Sequence, residues 1–218
     1  MDDLRKLENK MVRYRDLINI KVKESGEPFV DIGNNIIVRK SVYRKLNKAR
    51  SLLSKQDKNL SLYITCGYRS LEVQTEKFLK RLKEISTVFF NDSVNLYEEV
   101  HRYVAVPTVA GHPTGGAVDI MMVDNSGKPL DFGSKIYDYS TKNGYVFSEN
   151  ISQAAQKNRL LLREIMIING FAPFDGEWWH FSYGDREWAY YYKKPAAIYD
   201  QIVNPFQEPR SRRRRRPI

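Results

Sequence analysis

One carboxylate in the middle of an apolar segment limits what this chain can fold into more than any other feature. Asp119 lies in "GAVDIMMVD", where the alternation predicts a β-strand with Val118 and Ile120 on one face and Asp119 on the other. A carboxylate buried there is costly unless it is paired with a cation or bound to a metal. The fold must therefore bring Asp119 a partner, either a buried Lys or Arg or a metal ion.

The segment before this strand, "GHPTGG", carries His112, one of only three histidines in the chain. Small residues follow it at Gly115, Gly116 and Ala117. They allow the backbone to fold back on itself, so we expect His112 and Asp119 to converge.

A second histidine lies in "GEWWHF", residues 176–181, which is either a core strand with polar ends or part of a site. His112, Asp119 and His180 together supply two imidazoles and one carboxylate, the ligand set of a catalytic zinc ion. Glu177 would then accept a proton from water and return it to a leaving amine. In a regular strand residues 177 and 180 point to opposite faces, so Glu177 must lie at the strand's entry or beside a bulge.

Arg69 ends the predicted strand in "TCGYRS" and stands just before a predicted helix. Its guanidinium could fork onto a substrate carboxylate or stabilise a developing oxyanion. The alternative is a surface arginine in the first turn of a helix. The third histidine, His101, lies outside every motif, and its replacement by Ala is expected to change zinc affinity little.

The periodicity predicts helices interleaved with short strands, hence one α+β domain whose small, largely antiparallel sheet is flanked by helices. The predicted helices are residues 2–19, a helix from Ser41 with Ser41 as N-cap, one starting near Ser70, a short one over 93–102, and a long one closed by Gly170. The predicted strands are a hairpin in "EPFVDIGNNIIVRK", then "LSLYIT", "GAVDIMMVD" and "EWWHFSY".

Composition bounds the class of protein. A chain of 218 residues with 42% hydrophobic residues fits one domain, which we place at residues 1–205. No apolar run approaches the roughly 20 residues of a membrane span, and the N-terminus lacks a secretory h-region. Cys66, a lone cysteine, cannot form an internal disulfide. These features favour a cytoplasmic protein.

The net charge of +10 invites a nucleic-acid interpretation, but six of those charges come from the arginines of the final segment, "RSRRRRRPI". About +4 remains for the rest of the chain. Residues 206–218 are therefore expected to form a disordered tail that could bind anionic polymers, and no specific nucleic-acid partner is expected.

Together the motifs resemble those of the zinc D-alanyl-D-alanine dipeptidases and carboxypeptidases associated with vancomycin resistance. The resemblance extends over about residues 62–188 and rests on three elements. H-x(6)-D matches His112 to Asp119, E-x-W-H matches Glu177, Trp179 and His180, and G-Y-R matches Gly67, Tyr68 and Arg69.

The resemblance implies one zinc ion per chain on His112, Asp119 and His180, with Glu177 as general base and acid. It implies that Arg69 binds and polarises the region around the scissile amide. Asp138 in "KIYDYS" falls where the dipeptidase branch holds the substrate's ammonium group.

Two departures from the family pattern bear on the substrate. Ala110 stands where the family usually has a serine, two residues before the first ligand, so a hydrogen bond to the substrate is missing there. The N-terminal segment that supplies a tyrosine contact in the dipeptidases also has no clear counterpart here.

The leading hypothesis is a zinc dipeptidase that cleaves D-Ala-D-Ala or a similar small D-amino-acid dipeptide. One alternative is a D,D- or L,D-carboxypeptidase acting on peptidoglycan stem peptides, which would normally require export. A zinc-bearing binding domain without turnover, of the hedgehog type, is the alternative from another class. The presence of both Glu177 and Arg69 argues against the binding-domain hypothesis, because a non-catalytic site needs neither.

Overall fold

The computed structural model describes residues 11–86 and 93–206, apart from the side chain of Val94. The helices are α1 (Tyr14–Leu17), α2 (Lys40–Gln56), α3 (Leu71–Ile85), α4 (Ser93–His101), α5 (Gln153–Ile168) and α6 (Arg186–Tyr191). The strands are β1 (Phe29–Asp31), β2 (Ile37–Arg39), β3 (Leu60–Cys66), β4 (Ala117–Asp124), β5 (Ala172–Pro173) and β6 (His180–Ser182).

A four-stranded antiparallel sheet in the order β3-β4-β6-β5 forms the centre of the fold, and β1 and β2 pair as a separate antiparallel hairpin. Helices α2 and α5 contact the strands of the larger sheet and each other. The α+β class with a small antiparallel sheet flanked by helices, predicted from periodicity, is thereby confirmed.

Two hydrophobic clusters hold these layers together. The larger one joins the apolar face of the sheet to α2 and α5, and its fully buried members include Leu46, Ile120, Leu162 and Trp179. The smaller one lies among α1, α3 and α4 around Phe78. The space between the sheet and helices α3 and α4 is lined largely by polar residues, among them Asp119 of β4.

Local signals predicted several element ends correctly. The hydroxyl of Ser70 accepts a hydrogen bond from the backbone N–H of Val73 at 3.3 Å, as an N-cap should. Gly170 has φ +81° just after α5, the left-handed geometry that ends many helices. The hairpin, the strands β3 and β4 and the short helix α4 also lie where the sequence predicts them.

Three local predictions were wrong or incomplete. Ser41 does not cap α2: the helix already begins at Lys40, and the Ser41 hydroxyl donates a hydrogen bond to Glu27 at 2.5 Å instead. The strand expected over "EWWHFSY" is reduced to His180–Ser182, because the chain turns just before it. Of the opening helix over 2–19, the described part contains only Tyr14–Leu17.

Within the described ranges, no helix is long and apolar enough to cross a bilayer. Residues 207–218, which contain the arginine-rich segment, lie outside the described residues, as do residues 1–10. The tail, the domain boundary at 205 and the cytoplasmic location therefore stay predictions.

Candidate metal centre and active site

Asp119 and His180 face each other across two neighbouring strands. They form a direct pair in the register of β4 with β6, so both side chains project from the same face of the sheet. Asp119 Oδ1 lies 3.1 Å from His180 Nδ1, and Asp119 is only 1% exposed. The buried carboxylate thus has an imidazole partner from the adjacent strand.

His112 approaches the same carboxylate from the other side. It opens the short 3₁₀ turn His112–Thr114, and Gly115 then adopts φ +71°, which reverses the chain into β4. His112 Nε2 lies 3.3 Å from Asp119 Oδ2, while its Nδ1 lies 2.7 Å from the carbonyl oxygen of Gly67. The expected convergence of His112 and Asp119 is present.

Glu177 lies outside strand β6, in the turn that leads into it. Its Oε2 is 3.9 Å from His180 Nδ1, and its Oε1 accepts a hydrogen bond of 2.8 Å from the hydroxyl of Tyr139. Because the chain turns at Asp175–Gly176, Glu177 is not part of a regular strand, and its side chain is not forced onto the face opposite His180. Burial raises the pKa of the Glu177 carboxyl to about 7, and the nearby Asp119 carboxylate contributes to the rise.

Arg69 is a largely buried side chain that points into the site. Its NH2 lies 3.7 Å from Asp119 Oδ2, and its NH1 donates a hydrogen bond of 2.9 Å to Gln74 Oε1. Gln74 is anchored in turn, because its amide donates to the carbonyl of Ala105 at 2.9 Å. Arg69 is therefore held in one orientation and is no ordinary surface arginine.

Asp138 is not brought to this cluster. Its carboxylate accepts hydrogen bonds from the backbone and hydroxyl of Ser140, and it is not among the described residues that line the cavity. The tyrosines on either side of it, Tyr137 and Tyr139, do line the cavity. Tyr137 donates a hydrogen bond of 2.9 Å to Asp119 Oδ2.

The cluster is built to attract a cation. Burial opposes charge on His112, but the Asp119 carboxylate outweighs it and raises the pKa of His112 to about 9. Burial likewise opposes charge on Asp119, yet the two imidazoles hold the pKa of that carboxyl well below its usual range. Positive charge is thus stabilised beside Asp119.

Two overlapping sets of side chains have possible ligand atoms within 4.8 Å of one another. One set is Cys66, His112 and Asp119, and the other is Asp119, Glu177 and His180. Asp119 belongs to both and joins the two histidines. Imidazole and carboxylate donors in this number suit zinc, so the residues present fit such an ion.

Glu187 is a site residue that the sequence did not indicate. It lies in the first turn of α6 and is 7% exposed, with Oε2 3.4 Å from His180 Nε2. A carboxylate on the far nitrogen of a metal-binding histidine typically fixes the orientation of its ring. Glu187 stands seven residues after His180, in a segment with the polar composition of a helix start. Nothing in the sequence distinguishes it there from a surface glutamate.

One cavity of about 270 Å³ lies between the Asp119 face of the sheet and helices α3 and α4, and the site residues that line it are Arg69, Gln74, His112, Asp119, Tyr137, Tyr139, Glu177, His180 and Glu187. This volume is near the lower end for small-molecule sites, roughly 300–1,000 Å³. A buried acid of raised pKa, an oriented guanidinium and a cation-attracting cluster in one small cavity are the parts of a hydrolytic site.

Comparisons with known proteins point to one family. A family model described as D-ala-D-ala dipeptidase, peptidase M15, matches residues 20–204. The D-alanyl-D-alanine dipeptidase of Synechocystis sp. is 31% identical over 190 residues, which is 77% of each chain. The D-alanyl-D-alanine dipeptidase of Escherichia coli (strain K12) is 38% identical over 82 residues, 37% of this chain and 42% of that one.

A solved structure supports the fold. VanYB in complex with D-alanine-D-alanine aligns with a TM-score of 0.50 and 18% sequence identity, covering 86% of this chain and 93% of that chain. At this level of identity the likeness concerns the fold alone.

Proposed function

The chain belongs to the D-ala-D-ala dipeptidase family of metallopeptidases, and we propose that it hydrolyses D-Ala-D-Ala or a similar small D-amino-acid dipeptide at a site that holds one zinc ion. The observation that carries this proposal is the arrangement around Asp119. Two imidazoles approach its carboxylate at 3.1 and 3.3 Å, and a carboxyl with a pKa near 7 lies 3.9 Å from one of them.

His112, Asp119 and His180 would hold the zinc ion. When bound, zinc supplies a Lewis acid that polarises an amide carbonyl and lowers the pKa of water towards neutrality. The neighbouring groups suit this arrangement: the Gly67 carbonyl and the Glu187 carboxylate each engage a ring nitrogen of a different histidine.

Glu177 is the proposed general base and acid. Its carboxylate takes a proton from the attacking water as the new C–O bond forms, and gives that proton to the amide nitrogen as the C–N bond breaks. A pKa near neutrality suits both halves of this transfer. Tyr139 donates to Oε1 and leaves Oε2, the oxygen nearer His180, available for the proton.

Arg69 is the proposed electrophilic group. Its guanidinium lies beside Asp119, where negative charge would develop on the carbonyl oxygen of the scissile amide. Gln74 holds NH1, so the planar fork is oriented before substrate arrives. The role of Asp138 as a partner of the substrate's ammonium group stays a prediction, since that side chain is turned towards Ser140.

One assay distinguishes the dipeptidase, carboxypeptidase and binding-domain hypotheses. Zinc-loaded protein is given D-Ala-D-Ala, its L,L isomer, N-acetyl-D-Ala-D-Ala and a muramyl pentapeptide. We expect cleavage of D-Ala-D-Ala alone among the four, because a small site built for a free dipeptide must pair both of its charged ends. Faster cleavage of the acetylated or muramyl substrate would replace the dipeptidase proposal with a carboxypeptidase. Turnover of none of them would favour a binding domain.

A further inference from the structure

Two tyrosines, one on each side of Asp138, direct their hydroxyl groups at two different carboxylates of the site. Tyr137 donates a hydrogen bond of 2.9 Å to Asp119 Oδ2, and Tyr139 donates one of 2.8 Å to Glu177 Oε1. Both tyrosines line the cavity. Asp119 is a proposed metal ligand and Glu177 is the proposed base, so each hydroxyl contacts a group with a different task.

Both hydroxyl groups act as donors towards these carboxylates. A carboxylate only accepts, so each hydrogen bond uses the single proton of its tyrosine. Burial, together with the neighbouring carboxylate, raises the pKa of Tyr137 and of Tyr139 above the ordinary value. The protons therefore stay on the phenols at neutral pH. Hydrogen bonds to an ionised acceptor are stronger than neutral ones, so they can fix the direction of a carboxylate.

Trp179 supports the rings of both tyrosines. It is fully buried, and its ring centroid lies 5.9 Å from that of Tyr137 and 5.9 Å from that of Tyr139, edge to face in both cases. Tyr103 contacts the ring of Tyr139 in the same geometry at 6.2 Å. Trp179 precedes His180 in the chain, so the support of the tyrosines is tied to a proposed metal ligand.

The backbone at Tyr137 is strained. Its φ is +64°, in the left-handed region that bulky residues rarely adopt. Such strain persists only where the surrounding structure enforces it, and it clusters at functional sites. Here it falls on the residue whose hydroxyl reaches Asp119, whereas the adjacent Asp138 turns to Ser140.

Arg159 fixes both ends of the segment that carries the two tyrosines, residues 133–142. This arginine of α5 is buried and donates to three backbone carbonyl oxygens, those of Phe132 at 2.7 Å and of Asn143 and Tyr145 at 2.5 Å each. Phe132 precedes the segment, and the other two residues follow it. One buried guanidinium therefore holds the segment in place before substrate arrives.

We propose that Tyr137 and Tyr139 are positioning residues with separate tasks. Tyr137 orients the Asp119 carboxylate for metal binding. Tyr139 orients the Glu177 carboxylate for proton transfer. This inference rests on the proposed function. Without its donor each carboxylate can rotate away from the position that its task requires, so loss of the two hydroxyl groups should have two different effects.

Phenylalanine substitutions test the two tasks, because they remove the hydroxyl and keep the ring that packs against Trp179. Tyr137→Phe should lower zinc affinity by about 10- to 100-fold, the usual effect of losing an outer partner of a ligand. Tyr139→Phe should leave zinc affinity unchanged, so it is the matched control. Tyr63→Phe, at an exposed position of β3, is the control for loss of a phenol. Competition with a chromophoric chelator measures the affinity.

The zinc-loaded proteins are then assayed with D-Ala-D-Ala. Tyr139→Phe should lower kcat by about 10- to 100-fold with little change in KM, because the hydroxyl acts on the base. In a Glu177→Gln background the same substitution should lower kcat no further, since the group that it orients is already absent. A residue that only stabilises the fold would lower kcat by the same factor in both backgrounds.

Equal zinc affinity in Tyr137→Phe and wild type would overturn the proposal for Tyr137. Equal factors of loss in the two Glu177 backgrounds would overturn it for Tyr139, as would parallel losses of zinc and activity in both Phe variants. The wild-type protein keeps these outcomes separate from the function proposed above. If wild type binds no zinc or does not cleave D-Ala-D-Ala, the proposed function fails. If wild type does both and the Phe variants match it, only the tasks of the tyrosines fail.

Discussion

His112 Nδ1 lies 2.7 Å from the carbonyl oxygen of Gly67, so a backbone group of the G-Y-R motif sets the orientation of a histidine 45 residues further along the chain. Because a carbonyl only accepts, Nδ1 carries the proton and the ring presents Nε2 to Asp119. Gly67 has no room for a side chain, since a Cβ there would collide with the backbone oxygen of Ile37. This contact joins the glycine of one motif to the proposed metal ligand of another.

Replacing that glycine should weaken metal binding without touching a ligand. In Gly67→Ala the backbone must shift away from Ile37, and the carbonyl that orients His112 shifts with it. We expect zinc affinity to fall by about 10- to 100-fold, the usual effect of losing an outer partner of a ligand. Competition with a chromophoric chelator measures it. Gly144→Ala is the control, because a Cβ there would find its nearest neighbour at 3.4 Å.

Elemental analysis of the purified protein should give about one zinc ion per chain, since His112, Asp119 and His180 form one catalytic-type ligand set. His180→Ala should lose most of the affinity. His101→Asn should keep it, because His101 is not in either set of possible ligands around Asp119. Protein that contains no zinc and binds none on reconstitution would contradict the proposed metal centre.

Glu177→Gln should separate metal binding from turnover. The amide keeps the size of the side chain and an oxygen that accepts from Tyr139, but it cannot take a proton from water. We expect kcat to fall by about 10²–10⁴-fold, the typical worth of a positioned general base. The zinc content should stay unchanged. Loss of zinc in parallel with activity would instead make Glu177 a ligand.

The same substitution should change how the stability of the metal-free protein depends on pH. The pKa of Glu177 is raised from 4.5 to about 7 on folding, so the folded state resists ionisation of this group. Wild type therefore loses stability relative to Glu177→Gln as pH rises from about 4.5 to 7, by at most about 3 kcal/mol. Chemical denaturation in the presence of a chelator, at pH 4 and pH 8, measures this difference. An equal difference at both pH values would show that Glu177 ionises normally.

Arg69→Lys should damage catalysis although it keeps the positive charge. A lysine cannot keep the planar fork that is held by Gln74 at one nitrogen and lies near Asp119 at another. We expect kcat/KM for D-Ala-D-Ala to fall by about 10²-fold or more, because a lost oxyanion donor costs about that much. Gln74→Ala should cause a smaller fall, since the guanidinium remains but loses its support. A fully active Arg69→Ala variant would remove Arg69 from the mechanism.

The sequence alone determined the elements whose signals are local. Alternation in "GAVDIMMVD" predicted strand β4 and placed Asp119 on the face opposite Val118 and Ile120. Ser70 and Gly170 correctly marked the start of one helix and the end of another. The convergence of His112 and Asp119 was also predictable, because only six residues separate them and these include Gly115, Gly116 and Ala117. Such features depend on backbone preferences within a few residues.

Only the tertiary structure decided which distant groups meet in the cavity. The pairing of Asp119 with His180 depends on the register of β4 with β6, and the position of Glu177 depends on where β6 begins. Glu187 and His101 enter the site because α6 and α4 pack beside the sheet, whereas Asp138 turns away between two tyrosines that face inwards. Periodicity shows which residues share one face of a helix or strand, but it does not show which other element packs against that face. Strand register and helix packing are set by contacts between residues far apart in the chain.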